Sequence, residues 1–212
     1  MNPNPAGSPQ QYPAGGPSPY AAPPGSYAQP QPGAYAQPGA PAPTAERGKV
    51  ATALLLVSTV LVGLMAGLFF AFDVSVMPGL AAGDERTYVT AMQNFNSAID
   101  GNGLFGMAFI LALLASAASA IVEFRKGRKV VAVWVGVAAV AYLVVLMITF
   151  SVNIPLNNEL ADAGDAAKLT DFSIVDKFKG TWVSTNIVRT LLCTVALTAL
   201  SRALVLYGRA TR

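Results

Sequence analysis

One cation set deep inside a long apolar run is the residue best placed to do chemistry. Arg189 stands within Trp182 to Tyr207, about 26 mostly apolar residues, long enough to cross a bilayer at ~1.5 Å per residue. Trp182, Asn186, Arg189 and Cys193 follow one another at spacings of four, three and four, which sets them on one helical face. With Trp182 at the interface, Arg189 lies roughly 10 Å deeper. A guanidinium there costs at least ~2.5 kcal/mol and turns toward protein or trapped water, so other segments must supply its partners. The candidates are the carboxylates Asp73 and Glu159 and the amides Asn96, Asn153 and Asn157. Asn153 and Asn157 are one turn apart, as are Asn186 and Arg189, so amides that donate and accept can converge with a guanidinium that only donates. Such a set suits an anionic or carbonyl-bearing ligand. The plainer reading is that Arg189 pairs with Asp73 or Glu159 to lock a bundle, while the amides cap helices and Trp182 anchors the interface.

Helices must hold these residues, and the composition points to membrane ones. The 212 residues are 53% hydrophobic and 12% charged, against roughly 25% charged in soluble domains. Mean hydropathy is +0.48. Four apolar runs, about 50–72, 104–122, 130–154 and 182–207, predict an all-α bundle of four membrane spans within a domain over 47–210. Pro78 and Gly79 should stop the first helix. Asp84 should cap a short helix from Glu85 to about Asp100, with Val89, Met92, Phe95 and Ile99 at helical period and Gly101 and Gly103 at its end. The small residues Ala115 to Ala120 suit tight packing of the second span, and Gly63 and Gly67 form a GxxxG pair. Glu123 to Lys129 reads as a basic hairpin with Gly127 in its turn, and Pro155 to Gly180 as a polar segment with short amphipathic turns.

Charge orients the bundle. Nine of the 14 Lys and Arg residues, Arg47, Lys49, Arg125, Lys126, Arg128, Lys129, Arg202, Arg209 and Arg212, fall on one side of a four-span protein, and nine of the 11 acidic residues fall on the other. The positive-inside rule then predicts a plasma-membrane protein with both termini in the cytoplasm. The net charge of +3 therefore reads as topology, not as nucleic-acid binding. With no histidine and one cysteine, His-ligated haem, His-metal sites, Ser-His triads and internal disulfides are excluded. Cys193 reads as a small packing group.

Residues 1–46 stand apart. They hold 13 of the 15 prolines, carry no charge before Glu46, and repeat Tyr-Ala-Gln-Pro at Tyr27 and Tyr35. This composition predicts a disordered, partly polyproline-II cytoplasmic tail. If the tail were the working part, the bundle would serve as an anchor for an interaction protein. A transporter is less consistent, because the cytoplasmic halves of the spans offer almost no polar path.

Four strings in order resemble the successive motifs of the anthrone oxygenase-like family of small four-helix membrane proteins. They are GLFFAFDVSVMPGL from Gly67 to Leu80, AMQNFN from Ala91 to Asn96, NIPLNNELA from Asn153 to Ala161, and WVSTNIVRT from Trp182 to Thr190. The resemblance implies oxidation of an anthrone to an anthraquinone by O2 with no metal or flavin. On that pattern Arg189, with Asn186 and Asn157, would hold an oxyanion. Asp73 or Glu159 would take the proton, and Asn153, Asn96 and Trp182 would complete the substrate site. Family members often carry a histidine after the asparagine of the last motif, where this chain has Ile187. The expected partners are the bilayer, an aromatic small molecule and O2.

Overall fold

The structure, a computed structural model, describes residues 45–211. The reading of the Pro-rich tail lies outside them, save that Ala45 and Glu46 begin the first helix. Among the described residues, four helices are long and apolar enough to cross a membrane: Gly48–Ala81 (α1), Gly103–Arg125 (α3), Lys129–Asp162 (α4) and Ser173–Ala210 (α5). Between the first two stands Glu85–Asp100 (α2). The four spans close a ring, α1 packing on α3 and α5, and α4 on α3 and α5. Its core runs from Ala51, Leu55 and Val62 through Ala138 and Val145 to Ala196 and Ala203. On α3, Ala112, Ala115, Ser116 and Ser119 are buried at helical spacing, the close contact that small side chains permit. The GxxxG pair makes no such contact, since Gly63 faces Leu197 and a side chain at Gly67 would meet nothing.

Three of the spans extend well past their apolar runs, each through one widened turn. Phe72–Val76 in α1, Thr149–Asn153 in α4 and Phe178–Trp182 in α5 are π-helical. Two of these turns answer prolines. Pro78 and Pro155 lack an amide hydrogen and would clash with the carbonyl four residues back. The preceding residues, Met77 and Ile154, instead donate to Phe72 and Thr149, five back, and the wider turn lets the helix continue. The first helix therefore does not stop at Pro78 and Gly79 but runs to Ala81.

At one end of the ring, Lys126 to Arg128 join α3 to α4, with Gly127 at φ +75°, a left-handed conformation suited to glycine. Here Glu123, fully buried, takes the Arg128 guanidinium on both oxygens. Arg128 lies 5.0 Å over the Tyr207 ring, and the Tyr207 hydroxyl meets the Gly48 carbonyl at 3.2 Å and Thr52 Oγ1 at 3.0 Å. All four spans are tied there.

A cap closes the other end. Asp84 accepts from the Thr87 amide at 2.9 Å and starts α2, and Asn102 accepts from the Leu104 amide at 3.0 Å and starts α3. Tyr88, Val89 and Met92 of α2 pack with Met77, Leu160, Val175, Phe178 and Trp182 in a second core. Phe95, which shares that helical period, is 39% exposed and packs edge-on against Phe72. Gln93 Nε2 donates to the carbonyls of Leu160 and Gly164, each at 2.9 Å, and Arg86 donates to the Ala167 carbonyl. Burial pushes the Tyr88 phenol up to about 12.

Candidate functional site

Under the cap lies a cavity of about 250 Å³ lined from all five helices. The three π-turns bring Phe72, Thr149, Phe150, Asn153 and Trp182 to its wall, in keeping with the frequent use of such turns at functional sites. Six aromatic rings stand in its walls: Phe69, Phe72, Phe105, Phe109, Phe150 and Trp182. Phe109 stacks on Phe105 at 5.8 Å and meets Phe69 and Phe150 at 6.5 and 6.4 Å. The Phe109 carbonyl accepts from the Tyr142 hydroxyl at 3.2 Å, which fixes that wall to α4.

Arg189 is 4% exposed and faces this cavity. Its Nη2 donates to Asn186 Oδ1 at 2.7 Å and its Nη1 to Thr149 Oγ1 at 3.2 Å. The guanidinium carbon lies 4.4 Å from the Phe69 ring centre and 5.4 Å from that of Trp182. Cation–π attraction of this kind gains strength when the pair is desolvated. Among the described residues its Nε has no protein partner. Among the described residues no carboxylate forms an ion pair with Arg189.

The negative charge arrives through an amide. Asn186, fully buried, donates to Asp73 Oδ1 at 2.5 Å and to the Phe69 carbonyl at 2.9 Å. Thr190 donates to Asp73 Oδ2 at 2.5 Å. Asp73 is thus held behind the cavity wall with both oxygens engaged, one residue removed from Arg189. Glu159 is not brought to the cavity: it is exposed and paired with Lys177.

The remaining amides do gather there. Asn157 Oδ1 accepts from Trp182 Nε1 at 2.9 Å, so Trp182 is a wall of the cavity with its indole held. Asn153 Nδ2 donates to Thr185 Oγ1 at 3.0 Å and to the Trp182 carbonyl at 3.4 Å, which leaves Asn153 Oδ1 buried without a partner. Asn96 Nδ2 is likewise buried and unpartnered. A free guanidine N–H, a free amide N–H and a free amide oxygen therefore belong to residues of one aromatic-walled space. Buried polar groups left unpaired cost about 1–3 kcal/mol each, a cost that a ligand with matching atoms removes.

Sequence reasoning did not single out the Phe69, Phe105 and Phe109 wall, Thr149, or Asp100 and Asn102 at the rim. The phenylalanines fall in apolar runs where nothing distinguishes wall from lipid face. Ile187, where family members often carry histidine, is 45% exposed and outside the lining. The position faces away from this cavity.

The sequence model of the family described as anthrone oxygenase matches residues 95–199. That stretch holds the last six residues of α2, all of α3 and α4, and α5 as far as Ala199, so it includes Arg189 but not Asp73. Comparison with curated proteins and with solved structures gave no match.

Proposed function

Because the chain belongs to the anthrone oxygenase family through residues 95–199, we propose that this multi-pass membrane protein oxidises an anthrone-type aromatic with O2 in the cavity around Arg189. The observation that carries the reading is a buried guanidinium with one N–H free, charge-balanced only at second hand, among aromatic rings. An apolar cavity of about 150 Å³ takes up benzene, so this larger one suits a fused-ring ligand.

The reaction balances as anthrone plus O2 giving anthraquinone plus water. Loss of a methylene proton puts negative charge on the substrate's carbonyl oxygen and makes the ring system an electron donor. One electron passes to O2, the radical pair couples at the methylene carbon, and protonation gives a hydroperoxide. Cleavage of its O–O bond with loss of the remaining C–H proton leaves the second carbonyl and water. In this scheme the substrate is the reductant. Arg189 Nε and Asn96 Nδ2 donate to the oxyanion, the preorganised stabilisation that weighs most in such steps. Asn153 Oδ1 accepts from a substrate hydroxyl. Asn186 positions Arg189, Asp73 balances its charge, and Asp100, the carboxylate on the cavity wall, receives the proton.

The test is oxygen uptake and quinone absorbance with full-length protein in vesicles supplied with anthrone. One O2 should vanish per quinone formed, and Arg189→Lys should be slower by about 10²-fold or more, since a point charge does not reproduce the planar fork. Rates equal to protein-free vesicles, or an unimpaired lysine variant, overturn the reading. We further place both termini in the cytoplasm and the cap outside, on the charge asymmetry of the loops. Since Cys193 is fully buried, a Ser26→Cys probe in the tail should label only from the cytoplasmic side.

A further inference from the structure

Two walls of the cavity differ in what lies beyond them. Toward the cap, the space above Arg189 is closed by the second core, where Val89, Met92, Leu160, Val175 and Phe178 are all fully buried and Trp182 is 5% exposed. Toward α3 and α4 the lining itself reaches the outer surface of the bundle. Ile110 is 39% and Phe150 54% exposed, and both line the cavity. Gly106, also in the lining and exposed, would carry a side chain into open space.

Depth decides what this opening faces. Ile110 is seven residues into α3 from Gly103, roughly 10 Å along the axis. The hydrocarbon layer is about 30 Å thick, so Gly106, Ile110 and Phe150 sit against acyl chains, while Asp100 and Asn102 mark the polar upper corner of the same rim. An amphipathic aromatic at the interface has its rings and its polar edge arranged in that order.

We infer that the cavity is filled sideways from the bilayer, through the gap between Gly106 and Ile110 of α3 and Phe150 of α4, so that its ligands are aromatics already dissolved in the leaflet on the capped side. This rests on the cavity being a ligand site, as proposed above, but not on the reaction carried out there. Gly106 is then a specificity-determining position. It admits wide fused rings because it has no side chain.

The test uses full-length protein in phosphatidylcholine vesicles with Trp134→Phe, which leaves Trp182 as the single tryptophan of the two present. Trp134 is outside the lining. The probes are 9-bromoanthracene dissolved in the bilayer and iodide in the buffer, both read by quenching of Trp182 fluorescence. The bilayer probe should quench strongly and iodide weakly. Gly106→Leu should reduce quenching by the bilayer probe severalfold and leave iodide quenching as it was, with unchanged helical circular dichroism. Ile110→Phe gives a second obstruction of the same gap should the leucine variant fold poorly. Iodide quenching as strong as that of the bilayer probe overturns the lateral route, as does bilayer quenching indifferent to both substitutions in folded protein. Oxygen uptake with anthrone in the same vesicles separates the two proposals: quenching that depends on Gly106 without turnover keeps the route and removes the oxygenase reading.

Discussion

The bundle buries a charge at each end and treats the two in opposite ways. At the hairpin end, Glu123 meets Arg128 five residues later with both oxygens, and Arg128 in turn lies on Tyr207. At the capped end, Arg189 reaches Asp73 only through Asn186 and keeps an N–H free. The first arrangement is closed, with both oxygens of the buried Glu123 carboxylate answered by one guanidinium, and the bond from Glu123 raises the Arg128 guanidinium above its ordinary value. The second is open toward a cavity. Burial alone therefore does not mark a functional ion. What marks it is burial with unspent hydrogen-bonding capacity beside space for something else.

Breaking each end separately sharpens this contrast. Glu123→Ala should have the largest effect on stability, about 1.5–3 kcal/mol from the lost bonds to the charged Arg128, read as a drop in melting temperature in detergent with kcat of the folded fraction unchanged. Arg189→Ala should do the reverse, lowering turnover by about 10²–10³-fold while the melting temperature moves far less than in the Glu123 variant. Asp73→Asn should cost about ten- to a hundredfold in kcat, the range for losing a bond to a charged group, with KM nearly unchanged because Asp73 lies outside the lining. The smallest effect belongs to the cap. Thr87 holds the Asp84 carboxyl below its ordinary 3.8, so the stabilisation is complete above that value and fades as pH falls through the lower folded value. A thermal melt series should show a slight acid destabilisation of the wild type that Asp84→Ala lacks.

Much of this was legible in the sequence, and the legible parts share a cause. Spans, the small-residue face of α3 and the Asp84 cap follow from hydropathy and local spacing, which act within a few residues. The Trp182, Asn186, Arg189 face was readable for the same reason. Partnership across the bundle was not. Asp73 and Glu159 stand equally well placed along the chain, yet Asp73 turns to Asn186 and Thr190 whereas Glu159 turns to Lys177. Asp73 lies within the first π-turn and Glu159 lies beyond the second, so the choice depends on a helical phase that a regular repeat does not give. The run through Pro78 was hidden as well, because a proline reads as a stop until its lost hydrogen bond is taken up five residues back.

Each widened turn also carries a geometric consequence along its own helix. One residue beyond the regular repeat rotates everything past it by about 100° relative to an unbroken α-helix. A helical wheel drawn straight through Val76, Asn153 or Trp182 would thus assign the wrong side to the residues that follow. Deleting one residue from the Phe178–Trp182 turn, which no proline follows, should leave the helix intact yet swing the rest of α5 around its axis, turning cavity-facing groups toward lipid.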